Sequence, residues 1–193
     1  MSDSYQILKP AAWHEDARSV PRSLEYGDFY HGEAGALPQA RHVFLGGNGL
    51  PGRWRGRAAF TIAETGFGLG HNFLAAWRAW LDDPERSGQL HYLAFEAHPF
   101  TVADLRRAWS RLPADHLNLA WELAGHWPAL LPGVHRLDLQ EGRVTLMLLF
   151  GDIRRLARQA QACVDAFFLD GFAPRVNPDM WSPAVFGQLR RLA

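Results

Sequence analysis

The sequence predicts an α/β fold built on a parallel sheet. Short apolar segments alternate with helical segments from residue 58 onward, and this alternation is typical of parallel sheets. Several of the apolar segments are followed directly by an acidic residue, at the sheet edge where open α/β sheets bind ligands. The predicted core strands cover residues 59–64, 90–95, 143–150 and 166–169.

The intervening segments carry the periodicity of amphipathic helices. Phe73, Leu74, Trp77 and Leu81 recur at helical spacing and predict a helix over residues 71–81. Prolines and polar turns separate the remaining helical segments. Further helices are predicted over residues 101–111, 115–124, 153–161 and 180–192, and an additional strand over 134–139 that pairs with 143–150.

The first part of the chain differs in composition from the rest. Glycine and proline are frequent between residues 27 and 52, which favours turns over long regular elements. Two short segments, 25–30 and 41–45, have the residue types of strands and predict a hairpin or a pair of short strands. We therefore divide the chain into an N-terminal extension with short strands and a loop, residues 1–57, and a ligand-binding α/β domain, residues 58–193.

Composition limits the class of protein. Lysine plus arginine equals aspartate plus glutamate at 20 each, so global charge gives no indication of a nucleic-acid partner. Cys163 is the single cysteine, which excludes a disulfide within the chain. No apolar run approaches the roughly 18–20 residues of a membrane span. We expect a cytoplasmic protein with no membrane segment, and we predict no metal site.

The most informative motif is the segment FTIAETGFGLG at residues 60–70. A strand, a glycine-rich turn and a helix form the usual nucleotide-binding unit of α/β proteins. The dinucleotide fingerprint is G-x-G-x-x-G, whereas here Gly66, Gly68 and Gly70 alternate and Glu64 precedes them. An acid at that position repels a pyrophosphate but suits the cationic amino-acid end of S-adenosylmethionine. The motif predicts an S-adenosylmethionine site, and the alternative is a tight turn that only packs a helix on the sheet.

Acidic residues follow three further strands. Glu96 ends the second strand and is placed to accept both hydroxyls of a ribose, while Asp152 is placed to accept from the adenine amino group. Asp170 faces the point where the methyl group must be delivered, and Phe172 follows it in a rigid loop. The alternative for each acid is capping of the next helix. For Phe172 the choice lies between stacking on a flat acceptor and packing.

Three segments together resemble a known family. The ETGFGLG turn, FLGGNGLPGRW at residues 44–54 and DAFFLDGFAPRVNPDMW at residues 165–181 resemble the methyltransferase domain of the bifunctional tRNA 5-methylaminomethyl-2-thiouridine biosynthesis proteins. The resemblance runs from about residue 23 to the end. It implies a Rossmann-like class I methyltransferase sheet with strand order 3-2-1-4-5-7-6. Only the first four strands are recognised, so we expect a C-terminally truncated domain that lacks the last three.

The resemblance also implies an activity and a set of site residues. Proteins of this family transfer a methyl group from S-adenosylmethionine to the aminomethyl nitrogen on the wobble uridine of tRNA. An FAD-dependent oxidoreductase domain, fused or separate, acts before them, and no FAD site is expected in this chain. The implied catalytic residues are Asp170 and Phe172. The predicted cofactor-binding residues are Glu64, Gly66, Phe67, Gly68, Gly70, Asn72, Glu96, Asp152 and Asp170, and the residues predicted to contact tRNA are Asn48, Arg53, Arg55, Pro174 and Arg175.

Two other functions remain open. The first is a methyltransferase that acts on a small-molecule amine, and the second is a non-catalytic fragment that binds a nucleotide or a partner. The chain departs from the family pattern at His71, where an apolar residue is expected.

Overall fold

The computed structural model describes residues 8–193. Seven strands and six α-helices are found in this part of the chain. The strands are β1 (Trp13–Glu15), β2 (Pro21–Ser23), β3 (Ala59–Glu64), β4 (Gln89–Glu96), β5 (Gly133–Leu139), β6 (Val144–Phe150) and β7 (Ala166–Phe168). The helices are α1 (Ala36–Gln39), α2 (His71–Asp82), α3 (Val102–Trp109), α4 (Ala114–Gly125), α5 (Ile153–Gln159) and α6 (Pro183–Leu192).

Five strands form the central sheet in the order β5-β6-β4-β3-β7. β6, β4, β3 and β7 run parallel, and β5 pairs antiparallel with β6. Numbered along the chain, the four parallel strands have the order 3-2-1-4, which agrees with the first four strands of the predicted methyltransferase sheet. The α/β fold and the pairing of segments 134–139 and 143–150 are confirmed.

Alternate residues of the strands face two separate hydrophobic layers. On one side, Phe60 and Ile62 of β3 pack with helices α2, α3 and α4. On the other, Ala63 packs with α5 and α6. This alternation follows from the two-residue period of a strand. The even-numbered residues of β3 and β7 face the side of the sheet on which α2 packs. The side chains that directly follow these two strands continue the same alternation.

The N-terminal hairpin prediction is wrong. The two strands that pair are β1 and β2, with Trp13 opposite Ser23, whereas residues 40–45 form a turn of π-helix that continues α1. Leu37, Ala40, Phe44 and Leu45 are buried together in the core. Their spacing is helical, so burial of one apolar stripe favours the helix. The predicted helix over 180–192 is also corrected, because it begins at Pro183, where the Ser182 hydroxyl accepts from the Val185 N–H.

One hydrophobic core extends across residue 57. The Trp54 side chain is fully buried, and its ring meets that of Phe60 edge to face with centroids 6.2 Å apart. The Trp54 indole N–H donates to the Asp83 carboxylate at 2.9 Å. Residues before and after position 57 share this core. The proposed boundary between the N-terminal extension and the α/β domain therefore stays a prediction.

β7 is short and is fixed mainly at its two ends. It pairs with β3 over three residues, Ala166 to Phe168. Just before it, the Asp165 carboxylate accepts from the Thr61 N–H at 2.8 Å and forms an ion pair with Arg57 at 2.7 Å. Just after it, the Thr65 hydroxyl donates to the Asp170 carbonyl at 2.7 Å. These contacts set the register of β7 against β3.

Residues 8–193 contain neither a candidate membrane-spanning helix nor a cluster of metal-ligating side chains. No helix in this range is both long and apolar enough to cross a membrane. The same residues contain no group of three or more histidine, cysteine, aspartate or glutamate side chains arranged to hold a metal ion.

Candidate active site

A cavity of about 440 Å³ opens at the carboxyl ends of the parallel strands. Its walls come from the turn after β3, the ends of β4 and β6, the loop after β7 and the N-terminal segment. This is the edge at which open α/β sheets bind ligands. Most of the predicted cofactor residues line it, namely Gly66, Phe67, Gly68, Gly70, Asn72, Glu96, Asp152 and Asp170, as does Phe172.

The glycine turn is shaped so that side chains would not fit. A Cβ atom at Gly66 would lie 3.0 Å from the Asp170 carbonyl oxygen, and one at Gly70 would lie 2.8 Å from the Phe67 ring. Gly68 and Gly70 also have positive φ angles of 51° and 72°, which glycine adopts without strain. The turn therefore brings bare backbone to the cavity and starts α2 directly behind it.

Two carboxyl groups meet at the Asn72 side chain. Its amide nitrogen donates to Glu64 Oε1 at 2.6 Å and to Asp170 Oδ2 at 2.7 Å. Glu64 is 1% exposed and does not line the cavity, whereas Asn72 and Asp170 do. The contact forms because both acids continue the α2 side of their strands, where Asn72 sits in the first turn of that helix.

Both acids are shifted towards their neutral forms. Burial raises the pKa of Glu64 well above its usual value, and the neighbouring Asp170 carboxylate adds to this effect. Burial also raises the pKa of Asp170 to about 6, although hydrogen bonds from Asn72 and the Gly171 N–H oppose the increase. A carboxyl group with this pKa can exchange a proton near neutral pH.

Glu96 is held by backbone donors at the end of β4. Its carboxylate accepts from the N–H groups of Gly68 and His98, each at 2.7 Å. Burial raises the pKa of Glu96 despite these two hydrogen bonds. Each carboxylate oxygen has a further lone pair, so Glu96 can still accept from a ligand in the cavity.

Asp152 combines a cavity position with a capping role. It is the N-cap of α5, and its carboxylate accepts from the Arg154 N–H at 2.8 Å. The Arg154 guanidinium binds the same carboxylate and also reaches Asp179 at 2.6 Å. Burial alone raises the pKa of Asp152, but the hydrogen bonds from Arg154 outweigh it and the net shift is downward. Among the three later strand-end acids, Glu96 and Asp170 cap no helix, so the capping alternative applies to Asp152.

Sequence reasoning missed the aromatic wall of the cavity, which Tyr26 and Tyr30 of the N-terminal segment form together with Phe172. Tyr26 stacks on Phe172 with ring centroids 4.6 Å apart, and Tyr30 meets the same ring edge-on at 5.1 Å. The Asp28 carboxylate accepts from the Ala173 N–H at 3.1 Å, which ties the two segments together. Phe172 thus packs on Tyr26 and also lines the cavity, so the two alternatives for it describe one arrangement.

The atypical His71 also lines the cavity. Its ring lies 5.9 Å from that of His31, another N-terminal residue of the wall. Burial and the neighbouring His31 lower the pKa of His71 to about 3. His71 is therefore neutral at physiological pH and adds no charge to this side of the cavity.

The five residues predicted to contact tRNA lie outside the cavity wall. Asn48 donates to the carbonyls of Phe44 and Phe167, and Arg53 donates to the Asp165 carbonyl. Arg55 forms an ion pair with Asp83 at 2.9 Å. Pro174 and Arg175 are exposed on the loop after β7. Asn48 and Arg53 join the N-terminal segment to β7, and the assignment of all five to the RNA stays a prediction.

The polar groups of the cavity suit S-adenosylmethionine. That molecule presents a cationic ammonium group, a sulfonium, a ribose diol and an amino group on the adenine. The cavity offers the carboxylates of Glu96, Asp152 and Asp170 as acceptors, together with the open backbone of the glycine turn. A pyrophosphate would meet this acidic lining unfavourably, which agrees with the sequence-based preference for S-adenosylmethionine over NAD.

The chain is similar in sequence to known proteins. Residues 116–193 match the family described as S-adenosyl-L-methionine-dependent methyltransferase. The tRNA 5-methylaminomethyl-2-thiouridine biosynthesis bifunctional protein MnmC of Azoarcus sp. (strain BH72) is 54% identical over 186 residues, which cover 96% of this chain and 29% of the relative. The protein of the same name from Aromatoleum aromaticum is 55% identical over 174 residues, covering 90% of this chain and 27% of the relative.

A solved structure supports the fold. The crystal structure of MNMC2 from Aquifex aeolicus superposes with a TM-score of 0.72 at 22% identity and covers 95% of this chain and 56% of that chain. The chain spans less than a third of the length of the bifunctional relatives it matches. Residues 116–193 therefore carry the pattern of the S-adenosyl-L-methionine-dependent methyltransferase family, and the chain corresponds to a segment of the bifunctional proteins.

Proposed function

We propose that this chain transfers a methyl group from S-adenosylmethionine to the aminomethyl nitrogen of the wobble uridine in tRNA. The product is 5-methylaminomethyl-2-thiouridine, the nucleoside that appears in the names of the relatives. The observation that carries the proposal is Asp170, a cavity carboxyl group with a pKa of about 6, next to the aromatic wall at Phe172.

The cofactor supplies a methyl group that is electrophilic because it is bonded to a sulfonium. Glu96 would accept the ribose hydroxyls, and the backbone of Gly66 and Gly68, which carries no side chains, would leave room for the amino-acid part. Asp152 lies at the end of the cavity proposed for the adenine. Held by these residues, S-adenosylmethionine would supply its methyl group to an acceptor placed at Asp170.

The aromatic wall holds the acceptor. A uridine base is flat, and stacking on an aromatic side chain stabilises a base by about 1–3 kcal/mol. Phe172, Tyr30 and Tyr26 all line the cavity, and Tyr26 and Tyr30 both pack against the Phe172 ring. A base held there presents its aminomethyl group to the Asp170 carboxylate.

Asp170 then handles the proton. A primary amine with a pKa like that of lysine, about 10.4, is protonated at pH 7, and its neutral form costs roughly 4–5 kcal/mol. The ionised Asp170 carboxylate orients the ammonium group and takes one proton, directly or through water. The nitrogen lone pair would then form the new N–C bond, while the electron pair of the broken S–C bond would return to sulfur and leave a neutral thioether. The nitrogen, neutral before the transfer, becomes positively charged on methylation and loses that charge only when a further proton leaves.

The test is methyl transfer by the purified chain. The acceptor is tRNA that carries 5-aminomethyl-2-thiouridine, the donor is S-adenosylmethionine with a labelled methyl group, and the product is identified by mass spectrometry of the nucleosides. Fully modified tRNA is the matched control, and a set of small aliphatic amines tests the alternative substrate class. We expect label only in the undermodified tRNA. Label in the small amines alone would support the small-molecule function.

A variant separates catalysis from binding. Asp170→Ala should abolish transfer while calorimetric binding of S-adenosylmethionine persists. Binding without transfer by the unaltered chain would favour the non-catalytic alternative. We also propose that the oxidoreductase that prepares the acceptor is an FAD-dependent partner, fused or separate, since the relatives are bifunctional and this chain matches under a third of their length.

A further inference from the structure

The Asn72 side chain commits both of its amide hydrogens. A primary amide nitrogen carries two hydrogens, and here one points to Glu64 Oε1 and the other to Asp170 Oδ2. Asn72 is 7% exposed, so few other conformations are open to it. Since both partners are carboxyl oxygens, the nitrogen of the amide must face them. The direction of the second hydrogen therefore depends on where Glu64 holds the first.

Glu64 is poorly placed to bind a ligand directly. It is 1% exposed, does not line the cavity, and reaches the cavity wall only through Asn72. Its second oxygen, Oε2, is buried without a hydrogen bond of normal geometry among residues 8–193, although the neighbouring Tyr92 hydroxyl lowers the pKa of Glu64 against the larger effect of burial. An ionised carboxylate in such a position would be strongly destabilising. The titratable groups that face it are Asp170, Tyr92 and, further away, Glu96, and none of the three supplies a positive charge.

We propose that Glu64 is a positioning residue, which acts through Asn72 to hold the Asp170 carboxylate towards the cavity, and that it does not pair with the charge of the ligand. The proposal rests on the proposed function in one respect, because Asp170 is there the group that takes the proton. It reassigns the first acid of the glycine motif from ligand contact to support of the catalytic carboxylate.

The arrangement has a consequence for protonation. The Asn72 hydrogen bond favours the ionised form of Asp170, so its loss should raise the pKa of Asp170 further. A neutral Glu64 serves only as an acceptor for Asn72, and a glutamine oxygen accepts equally well. Glu64→Gln and Asn72→Ala are therefore expected to behave differently, although both alter the same chain of hydrogen bonds.

The experiment measures titration and binding separately. The Asp170 carboxyl carbon is followed by ¹³C NMR against pH in the unaltered chain and in Glu64→Gln, Asn72→Ala and Asn72→Ser, and calorimetry gives the Kd for S-adenosylmethionine. We expect Glu64→Gln to keep the Kd within about twofold and the Asp170 titration midpoint unchanged, whereas Asn72→Ala shifts that midpoint upward by roughly one pH unit, the effect of one lost hydrogen bond to a charged form. Asn118→Ala, at an exposed position of α4, is the control.

The outcomes are distinct. If Glu64→Gln weakens S-adenosylmethionine binding about tenfold or more while the Asp170 midpoint stays fixed, Glu64 contacts the ligand charge and the proposal is wrong. It is equally wrong if both Asn72 variants fold and leave the Asp170 midpoint in place. If the midpoint shifts as expected but no variant or unaltered chain methylates tRNA, the positioning role stands and the proposed function fails. Asn72→Ser keeps the test available should Asn72→Ala not fold.

Discussion

Tyr26 and Phe172 stack with their ring planes inclined by only 27° and their centroids 4.6 Å apart. The first belongs to the N-terminal segment and the second follows β7, so this pair joins the N-terminal segment to the loop after β7 in one wall of the cavity. The Asp28 carboxylate supports the contact through the Ala173 N–H. A segment without catalytic groups of its own thus forms one wall of the candidate active site.

Removal of the Tyr26 ring should weaken acceptor binding. An aromatic pair contributes about 0.5–1.5 kcal/mol beyond buried area, so Tyr26→Ala should raise the acceptor KM by roughly 2–10-fold. The Kd for S-adenosylmethionine should change little. Tyr26→Phe keeps the ring and is the matched control. Equal losses in the two variants would show that the hydroxyl matters and the stack does not.

Asp170→Asn should stabilise the fold at neutral pH and not at acid pH. The pKa of Asp170 is raised from 3.8 to about 6 in the folded chain. A raised carboxyl pKa means that the folded chain holds a proton which the unfolded chain has released, so stability falls as pH rises from about 4 to 6. Asparagine has no such ionisation and still offers an oxygen to Asn72. The Tm difference between variant and unaltered chain should therefore be small at pH 4 and larger at pH 7.5, and a difference independent of pH would contradict the shift.

The ionisation of Asp170 should also appear in the pH dependence of catalysis. If Asp170 must be ionised to accept a proton, kcat/KM falls as pH drops through about 6, the pKa of that group in the free enzyme. The measurement is a pH–rate profile under subsaturating acceptor. A rate that stays level down to pH 5 would exclude Asp170 as the proton acceptor.

Glu96→Gln should weaken cofactor binding. A hydrogen bond to a charged group contributes about 1.5–3 kcal/mol, which corresponds to roughly 10–100-fold in Kd for S-adenosylmethionine. Glu25 is another acid of the same cavity, contributed by the N-terminal segment, and Glu25→Gln controls for a general loss of negative charge. Calorimetry that gives the same Kd change for both variants would argue against a ribose contact at Glu96.

Trp54→Ala should strongly lower the free energy of unfolding. Trp54 is fully buried across the boundary at residue 57, and removal of a buried aromatic side chain costs about 3–5 kcal/mol. Trp121, which is 43% exposed, provides the control, and Trp121→Ala should cost much less. Denaturant unfolding followed by circular dichroism makes the comparison. A small effect at Trp54 would mean that residues before 57 pack independently of the sheet.

The strands and the strand-end acids were predictable because of simple periodicities. β3, β4 and β6 are apolar runs between turns, and a parallel sheet brings their carboxyl ends to one edge. The same reasoning failed at residues 41–45, where valine and phenylalanine suggested a strand. The buried positions Leu37, Ala40, Phe44 and Leu45 follow a helical spacing, which would have been visible in a longer window. β1 and β2 are three residues each, too short for any period to show.

The partners of the site residues could not be predicted. Whether an acid caps a helix, as Asp152 does, or turns into the cavity, as Asp170 does, depends on the backbone angles of one or two residues after the strand. Tyr26 is distant from Phe172 in sequence, and no local pattern predicts the contact between the two rings. The Asn72 contact with both Glu64 and Asp170 requires the relative positions of two strands and a helix, which only tertiary packing sets.

Asp165 is not part of the cavity wall, but it affects the position of the reacting Asp170 carboxylate. Its carboxylate ties the start of β7 to the Thr61 N–H and to Arg57, while the strand itself pairs over only three residues. A slip of one residue along β3 would turn Asp170 to the opposite face of the sheet, towards α5 and α6. The Arg57–Asp165 ion pair at the start of β7 therefore helps to keep Asp170 on the cavity side of the sheet. We expect enzyme activity to be more sensitive than overall folding to changes at Arg57 and Asp165.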